Sequence, residues 1–394
     1  MTEQLAYALI TPYSLYKSRT GGIIGRLLAH ARLELVAARM FVLSDAFVDA
    51  YQKMVCPKDC DPAVAEAWHS YIDLSLRQKN PWGYLPRCML MVLRGPNAVR
   101  HLKEEVIGAF TEQPTGDTIR GTYGDFIRDA NGKIHYFEPA VITCPDPDLN
   151  DEHLKLFAKY ALSDGGVLEG RIKYSDEDAP VETSLVMLKP DNFERRSRRP
   201  GNIIDAFSLT GLRIVAAKVF NMTVAQGEEF YGPLKQIFVR KLKGNVTQEV
   251  FHRLHNAFGF PFTMADAEQV ADMLAERNAI TEFNKIVEYM TGVNPADLED
   301  PSQKTTASRT KCLALLYEGP NAIEKIRTVL GSTDPTKAEP GTVRSDFGRD
   351  LMRNGAHASD SVESAERERK IVGLVQTETD TCGLRTVIEQ YLDS

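Results

Sequence analysis

The richest chemistry in this sequence lies between Arg327 and Glu368. It runs Arg327-Thr-Val-Leu-Gly331-Ser-Thr333-Asp-Pro335, then Pro340-Gly341-Thr342-Val-Arg344-Ser-Asp346-Phe347, then Arg353-Asn354-Gly-Ala-His357-Ala-Ser359-Asp360-Ser361. Around His357 the pattern reads as a short strand followed by a helix, with Asp360 or Ser359 as the N-cap and Glu366-Arg-Glu368 near the end. A histidine just before a helix N-terminus meets the positive end of the dipole, which disfavours imidazolium and leaves a lone pair able to attack phosphorus. Holding a phosphoryl group covalently splits one transfer into two easier ones. The ring needs an orienting partner, and Glu368 returns to the face near the helix start. Phosphoryl transfer also needs fixed positive charge and donors for the equatorial oxygens. Lys189, Arg327, Thr333 and Arg344 can supply them.

An internal repeat supplies the elements that must hold these groups. Tyr7-Ala-Leu-Ile-Thr11-Pro12, Gly21-Gly-Ile-Ile24 and Leu33-Glu-Leu-Val-Ala-Ala-Arg-Met-Phe41 recur as Leu185-Val-Met-Leu-Lys189-Pro190, Gly201-Asn-Ile-Ile204 and Leu212-Arg-Ile-Val-Ala-Ala-Lys-Val-Phe220. Leu90-Met-Val-Leu-Arg-Gly95-Pro96-Asn97-Ala98 recurs as Leu313-Ala-Leu-Leu-Tyr-Glu-Gly319-Pro320-Asn321-Ala322. Two related domains follow, 1–178 and 179–394, with a boundary in the Ser, Asp, Glu, Ala and Pro run from Ser175 to Pro180. In the second copy, strands are expected at Ser184–Leu188, Leu212–Val219 and Cys312–Tyr317, and helices at Asn202–Ser208, Val224–Ile237 and Ala322–Leu330. The order β-α-β-β-α-β predicts an α+β sandwich of two tandem ferredoxin-like domains with antiparallel four-stranded sheets. The second copy carries a helical insertion at about 240–280, where Gln248–Leu254 and Ala265–Arg277 read as amphipathic helix around Phe258-Gly-Phe-Pro261.

The second half resembles the nucleoside diphosphate kinase family through Leu188-Lys189-Pro190-Asp191, Pro340-Gly341-Thr342-Val343-Arg344-Ser345-Asp346-Phe347 and Arg353-Asn354-Gly355-Ala356-His357-Ala358-Ser359-Asp360-Ser361. The last two together are highly specific. The resemblance covers Ser184 to Lys370 apart from the insertion, and the first half more weakly. It implies that a nucleoside triphosphate transiently phosphorylates His357, with Ser359 and Glu368 supporting the ring. It implies Lys189 and Asn354 near the sugar 3′-hydroxyl and the transferred phosphate. Arg327, Thr333 and Arg344 would grip phosphates and Tyr231 would line the site. Mg2+ would ride on the nucleotide phosphates rather than in a protein cage. The family's base-stacking aromatic lies in a segment that the insertion interrupts here, and Phe283 is the ring expected in that role. The loop Arg195-Arg-Ser-Arg-Arg199 is longer and more basic than usual and reads as a solvated loop, with polyanion contact as the alternative.

The first copy departs from this pattern. Thr11-Pro12-Tyr13 replaces Lys189-Pro-Asp191, Arg120 lies near the arginine position but out of register, and His135 lies near the nucleophile position without the following Ser-Asp. It reads as a degenerate copy that pairs structurally with the second. Lone histidines are usually structural, and His30, His69, His101, His153, His252 and His255 lack a partner set. His252 and His255 are three apart with no visible third metal ligand, and of six cysteines only Cys56 and Cys60 are close, with no second pair for zinc. Gly21-Gly22 lacks the Gly-Lys-Ser ending of a P-loop.

The chain of 394 residues is 43% hydrophobic and 26% charged, with net charge −7. That suits a soluble globular protein and argues against general affinity for nucleic acid or anionic membrane. No basic leader is expected at Met1–Leu9, and a cytoplasmic location fits. The leading function is ping-pong transfer of a terminal phosphate between nucleoside tri- and diphosphates. The rival is a nucleotide-binding regulatory or structural protein with little catalysis, and a third reading is a histidine phosphodonor to another protein. The family's hexamers and tetramers imply a homo-oligomer here, a trimer of two-domain chains with three sites.

Overall fold

Two apolar runs dominate each copy and become the central strands. The computed structural model describes residues 3–30, 32–56, 60–109, 116–174, 179–375 and 383–394, less the side chains of 236 and 239–242. The domain boundary expected at Ser175–Pro180 falls partly, and Cys382 wholly, outside the described residues. In the first copy, β1 (Glu3–Ile10), β2 (Glu34–Val42) and β3 (Arg87–Pro96) are joined by β6 (Val141–Ile142) and β7 (Gly165–Gly166). β4 (Asp125–Arg128) and β5 (Ile134–Glu138) form a separate hairpin. The main sheet runs β6-β1-β3-β2-β7, antiparallel throughout. Leu5 to Ile10 of β1 are fully buried, as a central strand covered on both faces requires.

Besides the helices Pro12–Tyr16 and Asp45–Gln52, this copy has α1 (Thr20–His30), α2 (Pro62–Ser75), α3 (Ala98–His101, continued by a π turn at Leu102–Ile107), α4 (Ile119–Tyr123) and α5 (Asn150–Tyr160). The second copy repeats the plan. β8 (Val181–Leu188), β9 (Arg213–Phe220), β10 (Cys312–Pro320) and β11 (Ala356–Ala358) form an antiparallel sheet in the order β11-β8-β10-β9. Numbered within the copy that is 4-1-3-2, the ferredoxin-like order. The first copy has the same order with β7 added beyond β2. The second copy's helices are α6 (Arg199–Ser208), then α7 (Val224–Tyr231), α8 (Leu234–Leu254) and α9 (Met264–Thr291) in the insertion, then α10 (Ala322–Leu330), α11 (Val343–Phe347), α12 (Val362–Ile371) and α13 (Gly383–Leu392).

The helix expected over Val224–Ile237 is two helices, because Gly232-Pro233 interrupts it and α8 starts afresh at Leu234. The long helices expected at about 240–280 run from Leu234 to Thr291, within a unit that contact separates from the rest. Met1–Phe220 with Cys312–Ser394 makes one compact unit, and Asn221–Lys311 makes another. Within the inserted unit α8 and α9 form a long helical hairpin. The α9 seam is a four-residue repeat of Ala267, Ala271, Ala275 and Ala279, continued by Phe283 and Val287, all buried.

Both copies lie in the first unit and pack through α1 and α6. A Cβ on Gly201 would overlap the Gly25 nitrogen and the Gly21 oxygen, so the two backbones touch where only glycine fits. β2 and β9 adjoin, the Arg87 guanidinium of β3 donates to the Ile214 carbonyl of β9, and α13 returns to pack on α5 and β2 of the first copy. No helix among the described residues is long and apolar enough to cross a membrane.

Candidate active site

His357 is a rung of the sheet. β11 pairs antiparallel with β8, placing His357 opposite Met187, and the Lys189 amide donates to the Gly355 carbonyl (3.3 Å). Gly355 turns the chain into β11 at φ 84°, a left-handed conformation that side chains resist. Buried Asn192 clamps the same corner, its Nδ2 donating to the Gly355 oxygen (2.7 Å) and the Lys189 oxygen (3.0 Å). Sequence reasoning passed over Asn192; its place directly after Lys189-Pro-Asp191 is the only signal.

The ring is held from α12. His357 Nε2 lies 2.9 Å from Glu368 Oε2, and the Ser359 hydroxyl donates to the same oxygen at 2.7 Å. Both Glu368 and Ser359 are buried. A carboxylate only accepts, so Nε2 carries the ring proton and the lone pair falls on Nδ1. The N-cap of α12 is Ser361, whose hydroxyl accepts from the Ser364 amide (3.1 Å), not Asp360 or Ser359. Ser359 faces inward instead, where it fixes Glu368.

Beside the histidine stands a connected cationic set. Lys189 Nζ donates to Asn354 Oδ1 (2.7 Å) and to the Met352 carbonyl (3.0 Å), and Asn354 Nδ2 donates to the Thr333 carbonyl (3.0 Å). Arg344 donates to the Gly331 carbonyl (3.1 Å), to Thr333 Oγ1 (3.2 Å) and to the Ala356 carbonyl (3.4 Å) next to His357. Burial, with repulsion from the Arg344 charge, pushes the Lys189 ammonium down to about 7. Arg327 is exposed on α10 and lines an open pocket with Glu182, Asn321, Ile323, Glu324 and Asp360. A hydrogen bond with the Ser364 side chain, with Arg327 and His357 nearby, holds the Asp360 carboxyl below its usual range.

The structure therefore brings Lys189, Thr333, Arg344, Asn354, His357, Ser359 and Glu368 together, with Arg327 at the edge. Tyr231 and Phe283 belong to the inserted unit. Tyr231 is nearly buried, its ring 5.0 Å from that of Phe230. Phe283 does not meet its expected role: the ring is fully buried on the α9 seam, with Lys235 Nζ 4.3 Å from its centroid. A ring without an exposed face offers no platform for a base. In the basic loop Arg199 is tied to Asp191 (2.7 Å) and the Phe347 carbonyl (2.7 Å), while Arg195 and Arg196 are exposed. Among the described residues no group of three or more His, Cys, Asp or Glu is placed to hold a metal ion.

The first copy shows what became of its equivalent site. The Thr11 amide donates to the Ala140 carbonyl (3.1 Å), repeating Lys189 and Gly355, and Ala140 adopts φ 58° where Gly355 has 84°. β6 pairs Ile142 with Leu9, as β11 pairs His357 with Met187, so Ile142 occupies the nucleophile's register position. His135 is elsewhere, on the exposed β4–β5 hairpin, bonded to Asp129 (3.1 Å). Arg120, expected out of register, is the true counterpart of Arg344. It donates to the Gly108 and Val141 carbonyls as Arg344 does to those of Gly331 and Ala356. The readable signal was Thr118-Ile-Arg120 against Thr342-Val-Arg344, each threonine capping a short helix. In place of Lys189 and Asn354 the first copy has a buried carboxylate. Glu138 Oε1 accepts from Thr11 Oγ1 (3.0 Å), the Ala140 amide (3.0 Å) and the Tyr71 hydroxyl (3.2 Å). Burial pushes the Glu138 carboxyl up to about 7.

Comparison with known proteins places the chain in a family. A family model described as nucleoside diphosphate kinase matches residues 182–247 and 234–373, two stretches that meet in the insertion. A nucleoside diphosphate kinase of Symbiobacterium thermophilum is 30% identical over 191 residues, covering 48% of this chain and 86% of that protein. The chain belongs to the nucleoside diphosphate kinase family. One from Hyperthermus butylicus is 32% identical over 192 residues, 49% of this chain and 92% of its own. Among solved structures, an NDP kinase from Pyrobaculum aerophilum has 26% identity and a TM-score of 0.32, covering 49% of this chain and 95% of that one. The family match lies in the half that holds His357.

Proposed function

We propose that this protein is a nucleoside diphosphate kinase working through His357, with the first copy as a structural partner. The observation that carries the proposal is the single Glu368 oxygen shared by His357 Nε2 and the Ser359 hydroxyl. That arrangement commits the Nε2 proton and leaves Nδ1 as nucleophile beside Lys189 and Arg344. Nδ1 attacks the terminal phosphorus of a nucleoside triphosphate. The bond from that phosphorus to the bridging oxygen breaks, and the nucleoside diphosphate leaves. A second diphosphate then attacks through its terminal oxygen, the N–P bond breaks, and the histidine is restored. Arg327, Thr333 and Arg344 bind phosphate oxygens as the transferred group spreads its charge. Lys189 and Asn354 serve the sugar hydroxyl and the transferred group. Mg2+ fits as a passenger on the nucleotide phosphates, since the set offers cations, an amide and a hydroxyl rather than a carboxylate cage; when bound it neutralises phosphate charge.

The test is phosphoenzyme formation from terminally labelled ATP and magnesium without acceptor. Acid-labile label is expected on the wild type and His135→Ala, absent from His357→Ala, and released by a nucleoside diphosphate. Nucleotide binding without any labile label on the wild type would instead support the regulatory reading. We also propose a trimer of chains, six domains in all, because each chain already pairs two copies in cis.

A further inference from the structure

The run from Leu168 to Tyr174, near the end of the first copy, docks on the second. From β7 the chain runs along the second copy. The Leu168 amide donates to the Val215 carbonyl of β9 (2.8 Å), the Gly170 amide to Glu318 Oε2 (2.6 Å), and the Tyr174 hydroxyl to the Glu318 carbonyl (2.9 Å). Between these anchors Glu169 places both carboxylate oxygens on one guanidinium, Arg369 Nη1–Oε1 at 2.9 Å and Nη2–Oε2 at 2.6 Å. The pair is bidentate, and the Arg369 side chain is only 12% exposed, so this is not a loose surface contact. Arg369 Nε also donates to the Leu374 carbonyl (3.1 Å) just past the end of α12.

Arg369 directly follows Glu368, the residue that orients His357. α12 is thus held at its start by the Ser361 cap and at its last turn by a side chain from the first copy. The apolar side chains of Ala365 and Ile371 hold the helix on the sheet. The direction of the Glu368 carboxylate, and through it the Nδ1 lone pair, depends on that last turn.

We propose that Glu169 is a positioning residue for phosphotransfer, through which the inactive copy aligns the catalytic histidine of the active one by way of Arg369 and Glu368. This rests on the phosphohistidine reading above. An angular error in a group that must attack in line is costly, whereas Glu169 acts on Arg369, which is not among the residues proposed to hold the nucleotide.

The experiment is rapid-quench labelling from ATP and magnesium across a range of nucleotide concentrations, with wild type, Glu169→Gln and Glu169→Asp of the full chain, alongside their thermal unfolding. Glu169→Gln is expected to lower the maximal rate of phosphohistidine formation about tenfold. The half-saturating ATP concentration stays unchanged, and Glu169→Asp, which keeps the carboxylate, recovers most of the rate. A wild-type rate in Glu169→Gln overturns the proposal. So does a raised half-saturation at unchanged maximal rate, or an equal loss in both variants that follows a fall in unfolding temperature. Absence of label on the wild type overturns the phosphotransfer reading itself, and this inference with it.

Discussion

Lys189 and Arg344 are two buried cations in one corner. Burial first and the Arg344 charge second depress the Lys189 ammonium to about 7, against a smaller opposing pull from Asp191. A phosphate group beside it would favour the charged form and raise that value again. The sign follows from linkage. Between the free value and the higher bound value, binding takes up a proton, and affinity falls as pH rises above about 7. Calorimetric titration of a nucleoside diphosphate in two buffers of different ionisation heat should therefore show proton uptake above neutrality. Lys189→Met should abolish it; uptake that persists in that variant would assign the proton elsewhere. The first copy has removed this difficulty by the opposite choice, a buried carboxylate at Glu138 with three donors and no cation in the lysine position.

At the scale of elements, small length changes separate the two copies. The first copy has one residue more between Asn97 and Gly108 than the second has between Asn321 and Gly331. The extra residue is absorbed by the π turn Leu102–Ile107, where the Gly108 amide reaches back to the Lys103 carbonyl while Gly331 reaches Arg327. The stretch that follows is one residue shorter in the first copy, so Arg120 stands as far along the chain from Asn97 as Arg344 does from Asn321. The α1–α6 contact is the other element-level commitment. Because a Cβ at Gly201 would overlap main-chain atoms of α1, Gly201→Val must push two helices apart. A loss of about 1–3 kcal/mol in urea unfolding is the expected result, from overpacking at a contact with no room to relax. An unchanged unfolding midpoint would mean that the two copies do not pack as described.

At the scale of the whole molecule, the first copy is a neighbour that is always present to the second, since it is covalently joined. Its contacts with the second copy are main-chain approach at the glycines, the Arg87–Ile214 bond, the docked run from Leu168 to Tyr174 and the return of α13. Sedimentation equilibrium should give a mass of three chains if the proposed six-domain assembly forms, and a one-chain mass would refute it. The sequence by itself determined the duplication, the strand order and the cluster from Lys189 to Glu368. Those rest on local patterns, where residue type and spacing along one segment encode strand, turn and helix. Only the tertiary structure decided the rest. A strand of two residues has no register of its own, so Ile142 rather than His135 stands at the nucleophile position because Leu9 and Ile10 pair it there. Arg120 is identified as the counterpart of Arg344 by the two carbonyls it reaches. Phe283 is an apolar residue in both readings, and only helix pairing tells a seam from a binding face. Glu169 and Arg369 are 200 positions apart, and no periodicity in the chain connects two ends of a salt bridge that folding alone brings together.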